Sequence, residues 1–224
     1  MGIYFVNKKI SDLKGDSFLK NITLDKIKKH TSILIIDDEI FPYSDALRKH
    51  DFSIEYKNDI QSLKDVEAYD VILCDVKGVG KFLGSQYEGA YLVKQIKEKY
   101  PNKVVISYTA NNYDATYHSY MEFADATVRK GTSIEEWSEL LDALLKEEMD
   151  PVVQWEKTRE ALLRAGVPTI QVAVIEARYV KSVQSRTFES MEKIYSNQHS
   201  IEADLIKSLL KSLLVKLIPL LMNL

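Results

Sequence analysis

SILIIDDE, residues 32–39, is the stretch that decides the fold, because a short β-branched apolar run ends there in adjacent aspartates. An uninterrupted apolar run of this length is typical of a strand buried on both faces of a parallel sheet. DVILCD (70–75) has the same form and also ends in an aspartate. The two runs predict two buried strands whose carboxyl ends are acidic.

Helix-like segments alternate with strand-like runs on either side of these two stretches. Five strands alternating with helices predict a parallel sheet covered on both faces, in an α/β fold. The predicted strands are SILIID (32–37), FSIEY (52–56), DVILCD (70–75), KVVISY (103–108) and ADATV (124–128). The predicted helices are 43–50, 60–67, 87–99, 113–123 and 133–148. A capping box of Ser133 and Glu136 opens the last of them.

Length and composition suit one α/β domain with an extension. The chain has 224 residues, and a hydrophobic fraction of 46% supports a sizeable core. We expect a lead-in segment at 1–30, the α/β domain at 31–148 and a helical extension at 149–224. The net charge of −3 provides no electrostatic footprint for nucleic acid.

The sequence lacks recognisable targeting segments, and this favours a location in the cytoplasm. The N-terminus lacks the apolar run of a signal peptide, and no uncharged apolar stretch reaches about 18 residues. A single cysteine, Cys74, fits a reducing environment. We therefore expect a cytoplasmic protein.

Polar residues follow the predicted strands where each one ends. Ligands of parallel α/β sheets bind outside the carboxyl ends of the strands, near a switch in strand order. Asp37, Asp38 and Asp75 would meet there, and Thr109 and Lys130 follow the fourth and fifth strands. Packed carboxylates repel each other, and Mg²⁺ removes that repulsion because it prefers oxygen ligands. Each feature alone is common in turns and on surfaces, so the prediction depends on their combination.

Four segments together resemble the response-regulator receiver family over about half the chain. They are ILIIDDE (33–39), DVILCD (70–75), VISYTA (105–110) and VRKG (128–131). The resemblance implies a flavodoxin-like sheet of order 2-1-3-4-5. It also implies Mg²⁺-dependent phosphorylation by a histidine kinase or a phosphotransfer protein.

The resemblance also implies roles for the acidic residues, position by position. Asp37 and Asp38 match the acidic pair that orients Mg²⁺, and Asp75 matches the phosphoacceptor. Asp75 and the main-chain carbonyl of Lys77 would complete the metal ligands. A phosphohydrolase would instead need a general acid where Lys77 stands. We therefore expect a phosphoacceptor signalling protein rather than an enzyme.

The remaining matched positions concern the phosphoryl group and its read-out. Thr109 matches the switch hydroxyl, and Lys130 matches the lysine that pairs with the phosphate. The family's aromatic switch position, three residues before the lysine, is Thr127 here. Tyr108 or Phe123 could take that part.

The segment KGVGKFLGSQYE (77–88) departs from the family by being several residues longer. It borders the acceptor, so it is a candidate gate. In an alternative reading it blocks the site and leaves a non-phosphorylated scaffold that works by oligomerisation. A second departure is Gly131, which stands where the family usually has proline after the lysine.

The last third of the chain predicts helices. A first helix covers 151–166, and a second begins at Pro168 and runs to about 195. In the tail, 201–224, leucines recur at helical spacing among lysines. The tail could bury these leucines in a homo-oligomer or against the two helices, or lie on a membrane surface, or be disordered. No helix-turn-helix pattern is present, so no direct DNA binding is expected.

Overall fold

The chain divides into two compact units. The α/β unit is Leu24–Lys146, and the helical unit combines Met1–Thr23 with Glu147–Leu224. The predicted lead-in segment 1–30 is thus shared between the two units, and the boundary expected at 148 lies two residues earlier. The computed structural model describes residues 8–14, 23–110, 115–148, 150–189, 191, 207, 209–211, 213–214 and 218.

One five-stranded sheet forms the centre of the α/β unit. Every strand pair is parallel, and the order is β2-β1-β3-β4-β5. This order confirms the predicted flavodoxin-like arrangement. The strands are β1 Ser32–Ile36, β2 Ser53–Lys57, β3 Val71–Asp75, β4 Val104–Thr109 and β5 Ala126–Arg129.

Burial explains why the two decisive runs became central strands. All five residues of β3 are buried, and so are four of the five in β1. The fifth strand begins two residues later than predicted and extends to Arg129, because Thr109 pairs with Arg129 and continues the ladder. This extension brings the ends of β4 and β5 level.

Helices connect the strands. The segment expected to be helical at 60–67 is instead a 3₁₀ turn, Leu63–Val66, closed by a reciprocal cap between Ser62 and Asp65. The capping box predicted at Ser133 and Glu136 is confirmed, with both N–H···O bonds formed at 3.1 and 3.2 Å. The helices are α1 Leu24–Lys29, α2 Ser44–Lys49, α3 Glu88–Lys99, α4 Ala115–Met121 and α5 Ile134–Glu148.

Two long helices dominate the helical unit. Helix α6 is Pro151–Arg164, and the Asp150 carboxylate caps it by accepting the N–H of Val152. Helix α7 is Thr169–Ser185 and ends about ten residues before the predicted position. Arg186 adopts a left-handed conformation (φ 56°) there, which stops the helix.

The core of the helical unit recruits residues from both ends of the chain. The rings of Trp155 and Tyr179 stack with centroids 5.1 Å apart. Leu13 from the N-terminal segment is fully buried in the same core. The described tail leucines, Leu209, Leu210, Leu213 and Leu214, are buried there as well. This packing favours the reading in which the tail leucines cover the two helices.

Contact with a membrane surface, a further interpretation of the tail, stays a prediction. Among the described residues, no helix combines the length and the apolar character needed to cross a bilayer. Lys207 and Lys211 are exposed.

Glu176 ties the N-terminal segment to the two helices. Its carboxylate accepts the N–H of Ile10 at 3.0 Å and the indole N–H of Trp155 at 2.8 Å. We expect Glu176→Ala to lower the free energy of unfolding of the helical unit by about 2 kcal/mol, because the substitution leaves both donors without their charged acceptor. Trp155 fluorescence during urea unfolding, in a Trp137→Phe background, measures this.

Glu160→Ala is the matched control on α6. Its exposed pair with Arg164 (3.3 Å) should contribute less than about 0.5 kcal/mol. Equal effects of the two substitutions would contradict a special role for Glu176.

Candidate functional site

The carboxyl ends of the central strands lie side by side. In the sheet, β1 and β3 are neighbours, and Ile36 is paired with Cys74. Asp37 and Asp75 therefore leave the sheet at adjacent positions. In the sheet, β2 lies on one side of β1 and β3 lies on the other. The strand order therefore reverses direction at β1, and ligands of such sheets bind beside this switch point, at the carboxyl ends of the strands.

Three aspartates converge at this edge. Asp37, Asp38 and Asp75 each offer a carboxylate oxygen, and these oxygens lie within 4.8 Å of one another. Asp37 and Asp75 are buried, whereas Asp38 is exposed. The structure thus brings together the three carboxylates that the sequence placed there, and one of them faces solvent.

Lys130 supplies positive charge to the same pocket. Its ammonium lies 2.6 Å from Asp75 Oδ2 and 3.6 Å from Asp37 Oδ1. It also lies 3.5 Å from Glu39 Oε2, a partner that the sequence had not suggested. Its backbone N–H donates to the carbonyl of Thr109, which fixes the start of the turn after β5.

The Asp75 carboxylate is held at both oxygens. Oδ1 accepts the N–H of Val76 at 2.7 Å and that of Lys77 at 3.4 Å, while Oδ2 accepts from Lys130. Burial raises the pKa of Asp75; Lys130 opposes this, Asp37 adds to it, and the net shift is upward. Ionisation of the buried Asp75 carboxyl group is therefore costly without further positive charge.

The pKa of Lys130 moves in the direction that keeps it charged. Burial lowers this pKa, but the hydrogen bond and charge of Asp75, with Asp37 and Glu39, raise it overall. The lysine therefore remains an ammonium at neutral pH. It faces more negative charge than it can balance alone.

The pocket fits a small divalent cation. Mg²⁺ is commonly held by one or two carboxylates, with water completing its shell. Oxygens within 4.8 Å of one another suit such a shared arrangement. Exposed Asp38 gives access from solvent, and the upward pKa shift of Asp75 marks a site that would gain from an added cation.

Two other positions implied by the resemblance lie beside this pocket. Thr109 ends β4 and is partly buried. The main chain of Lys77 contacts Asp75 by donating its N–H to the Asp75 carboxylate. The roles expected for the Thr109 hydroxyl and the Lys77 carbonyl remain predictions.

Hydrogen bonds hold the long segment after β3, residues 77–88, in place. The N–H of Gly78 donates to Glu88 at 2.7 Å, and the N–H of Gly80 donates to Asp59 at 2.7 Å. A methyl group at position 78 would lie 2.1 Å from Asp38 Oδ2, so the main chain passes directly against that carboxylate. The segment borders the site and leaves Asp38 exposed.

The sequence patterns did not predict the hydrogen bonds that two tyrosines donate at the site, although Tyr108 is a sequence candidate for the aromatic switch position. Tyr108 donates to Asp37 Oδ2 at 2.6 Å, and Tyr56 donates to the carbonyls of Asp37 and Glu39 at 2.6 and 2.5 Å. Both lie near the carboxyl end of a predicted strand. Their location at the ends of predicted strands is the sequence feature that could have indicated a place at the site.

Thr127 and Phe123, two of the positions considered for the aromatic switch, make contacts outside the acidic pocket. The hydroxyls of Thr127 and Ser107 are 2.8 Å apart. Phe123 is 39% exposed, with the Lys94 ammonium 5.3 Å from its ring centroid. Of the two aromatic candidates, Tyr108 is the one bonded to a site aspartate.

The fold and this edge define a doubly wound α/β unit of flavodoxin-like order with an acidic pocket that contains one lysine ammonium. No protein-family model matches the chain, and no curated protein matches it. Solved structures that resemble it include response-regulator receiver domains.

Three of these structures illustrate the likeness. The receiver domain of NtrX from Brucella abortus shares 18% identity, covering 51% of this chain and 98% of that one, with a TM-score of 0.44. A CheY-like receiver domain protein from Methanospirillum hungatei JF-1 shares 20%, covering 53% and 95%, with a TM-score of 0.44. The BeF3-activated N-terminal receiver domain of Klebsiella pneumoniae RstA shares 19%, covering 51% and 97%, with a TM-score of 0.43.

Proposed function

We propose that the α/β unit is a receiver that accepts a phosphoryl group on Asp75 from a histidine kinase or a phosphotransfer protein, in the presence of Mg²⁺. The observation that carries the proposal is the arrangement around Asp75. This buried carboxylate lies 2.6 Å from the Lys130 ammonium and within 4.8 Å of two further carboxylates.

Asp75 is the nucleophile in the proposed step. One carboxylate oxygen forms a bond to phosphorus while the bond between phosphorus and the donor nitrogen breaks, and the electron pair stays on that nitrogen. The product is an acyl phosphate on Asp75. Backbone N–H groups of Val76 and Lys77 hold the carboxylate in position during the attack.

Charge neutralisation is the task of the surrounding residues. Asp37, Asp38, Asp75 and the Lys77 carbonyl would hold Mg²⁺, which stabilises negative charge on the phosphoryl oxygens when bound. Lys130 exchanges its contact with Asp75 for one with a phosphoryl oxygen. The Thr109 hydroxyl donates a hydrogen bond to another.

The proposed output is a change in association through the helical unit. A phosphoryl group adds negative charge and acceptor oxygens at the strand ends, and such additions can bias a two-state element. We propose that the protein acts in the cytoplasm and forms homo-oligomers through its C-terminal helices. Direct DNA binding is not part of the proposal.

Intact-mass measurement after incubation with acetyl phosphate and Mg²⁺ tests the function. We expect one added phosphoryl group on the full chain and none on Asp75→Asn, because the amide is not a nucleophile toward phosphorus. A mass gain that persists in Asp75→Asn would refute the assignment. If the mass does not increase and beryllofluoride does not change the oligomeric state, the result would favour the alternative of a non-phosphorylated scaffold.

A further inference from the structure

Tyr108 reaches the acidic pocket from within the sheet. Its side chain is 1% exposed, and it precedes Thr109 on β4. Successive strand residues point to opposite faces, so these two side chains leave β4 on different sides. The Tyr108 hydroxyl donates to Asp37 Oδ2 at 2.6 Å, across 71 positions of sequence.

The two oxygens of Asp37 have different donors. Oδ1 accepts the N–H of Glu39 at 2.9 Å and lies 3.6 Å from the Lys130 ammonium. Oδ2 accepts the phenol hydroxyl of Tyr108. Each carboxylate oxygen has about two acceptor positions, so capacity remains for a further ligand. The tyrosine therefore fixes the rotation of the carboxylate without using up its lone pairs.

Aromatic packing holds the phenol in place. Its ring centroid is 5.4 Å from that of Phe41 and 6.0 Å from that of Trp137, both in edge-on contacts. Phe41 and Trp137 also contact each other, with centroids 5.5 Å apart. All three rings are nearly or fully buried. The hydroxyl cannot swing away from Asp37 without moving this cluster.

We propose that Tyr108 is a positioning residue for the divalent cation, orienting the Asp37 carboxylate toward the pocket it shares with Asp38 and Asp75. The proposal rests on the proposed function, because it presumes that a cation binds there. Hydrogen-bond partners of ligating groups commonly set ligand orientation, and their loss weakens metal affinity.

Calorimetric titration of the full chain with Mg²⁺ tests the proposal. We expect Tyr108→Phe to weaken the affinity about 10-fold to 100-fold. Tyr100→Phe is the matched control, because it also removes a phenol that donates to a carboxylate, that of Glu67 at 2.9 Å, but one that lies outside the pocket. The control should bind Mg²⁺ as the unmodified chain does.

A spectroscopic signature separates positioning from a general loss of packing. A cation on Asp37 changes the charge that the phenol senses, so Mg²⁺ should perturb the tyrosine ultraviolet absorption. We expect the perturbation to persist in Tyr56→Phe, which removes the other tyrosine hydroxyl beside Asp37, and to vanish in Tyr108→Phe. Its absence from Tyr56→Phe would overturn the proposal even if Tyr108→Phe failed to fold.

The outcomes distinguish this proposal from the function on which it rests. No Mg²⁺ binding by the unmodified chain would overturn both. Normal binding by Tyr108→Phe, or equal weakening in Tyr108→Phe and Tyr100→Phe, would overturn the positioning role and leave the phosphoacceptor proposal standing.

Discussion

Lys130→Met is expected to slow phosphoryl uptake on Asp75 by about 10²-fold to 10³-fold, the usual effect of removing one preorganised donor from a developing negative charge. The ammonium lies within 4 Å of Asp75, Asp37 and Glu39, with its nearest oxygen at 2.6 Å. Methionine keeps much of the side-chain volume and removes the charge. Time-resolved intact-mass measurement with acetyl phosphate gives the rate.

The neighbouring cation on β5 provides the control. Arg129 is exposed, and Arg129→Met removes one positive charge outside the pocket. We expect its uptake rate to stay within about 2-fold of the unmodified chain, because exposed charges are screened by solvent and salt. Equal slowing in both variants would indicate an effect of overall charge and would contradict the role of Lys130.

The Lys130→Met variant should also show an altered pH dependence of stability in the absence of Mg²⁺. The pKa of Asp75 is already raised, and loss of the ammonium removes the main opposing influence. A carboxyl with a raised folded pKa binds more protons in the folded state, so the unfolding free energy falls as pH rises from its ordinary pKa to the raised value. Urea unfolding across that range should show a steeper fall in the variant.

Gly89→Ala is expected to destabilise the α/β unit by about 3 kcal/mol, although alanine is the better helix former. A methyl group at this position of α3 would lie 1.9 Å from the carbonyl oxygen of Asp75 and 2.8 Å from Val79 Cγ2. Backbone atoms cannot yield as a flexible side chain does, so α3 must move away from β3. The movement would also displace Asp75, the proposed phosphoacceptor.

Gly84→Ala is the comparison for this steric effect. Nothing lies within 4 Å of a methyl group there, and the only penalty comes from its left-handed backbone (φ 62°), at about 1 kcal/mol. Trp137 fluorescence during urea unfolding, in a Trp155→Phe background, reports both variants. A gain in stability for Gly89→Ala would show that helix propensity outweighs the close approach, and the packing argument would fail.

Local patterns were enough to predict most of the α/β unit. The runs at 33–36 and 71–74 are apolar throughout, which favours burial on both faces, and the central strands β1 and β3 confirm it. The capping box at Ser133 involves residues three apart, so its formation depended on few other parts of the chain. The pocket carboxylates were placed by the same rule, since parallel strands share one edge.

Such local patterns could not predict contacts between residues that are far apart in the sequence. Tyr108 and Asp37 are 71 positions apart, and Glu176 and Ile10 are 166 apart. Period and spacing describe one element at a time, whereas these bonds depend on how the elements pack. The sharing of the N-terminal segment between two units has the same origin.

The sequence by itself determined the alternation of strands and helices, the acidic strand ends and the lysine that follows the last strand. The tertiary structure alone decided that a buried phenol donates to Asp37, that Asp59 and Glu88 anchor the long segment after β3, and that Gly89 packs against the carbonyl oxygen of Asp75. The physical reason is the sequence distance over which each effect acts. Hydrophobic periodicity depends on residues a few positions apart in the sequence. A hydrogen bond or a steric contact depends only on closeness in space, which is set when the elements pack together.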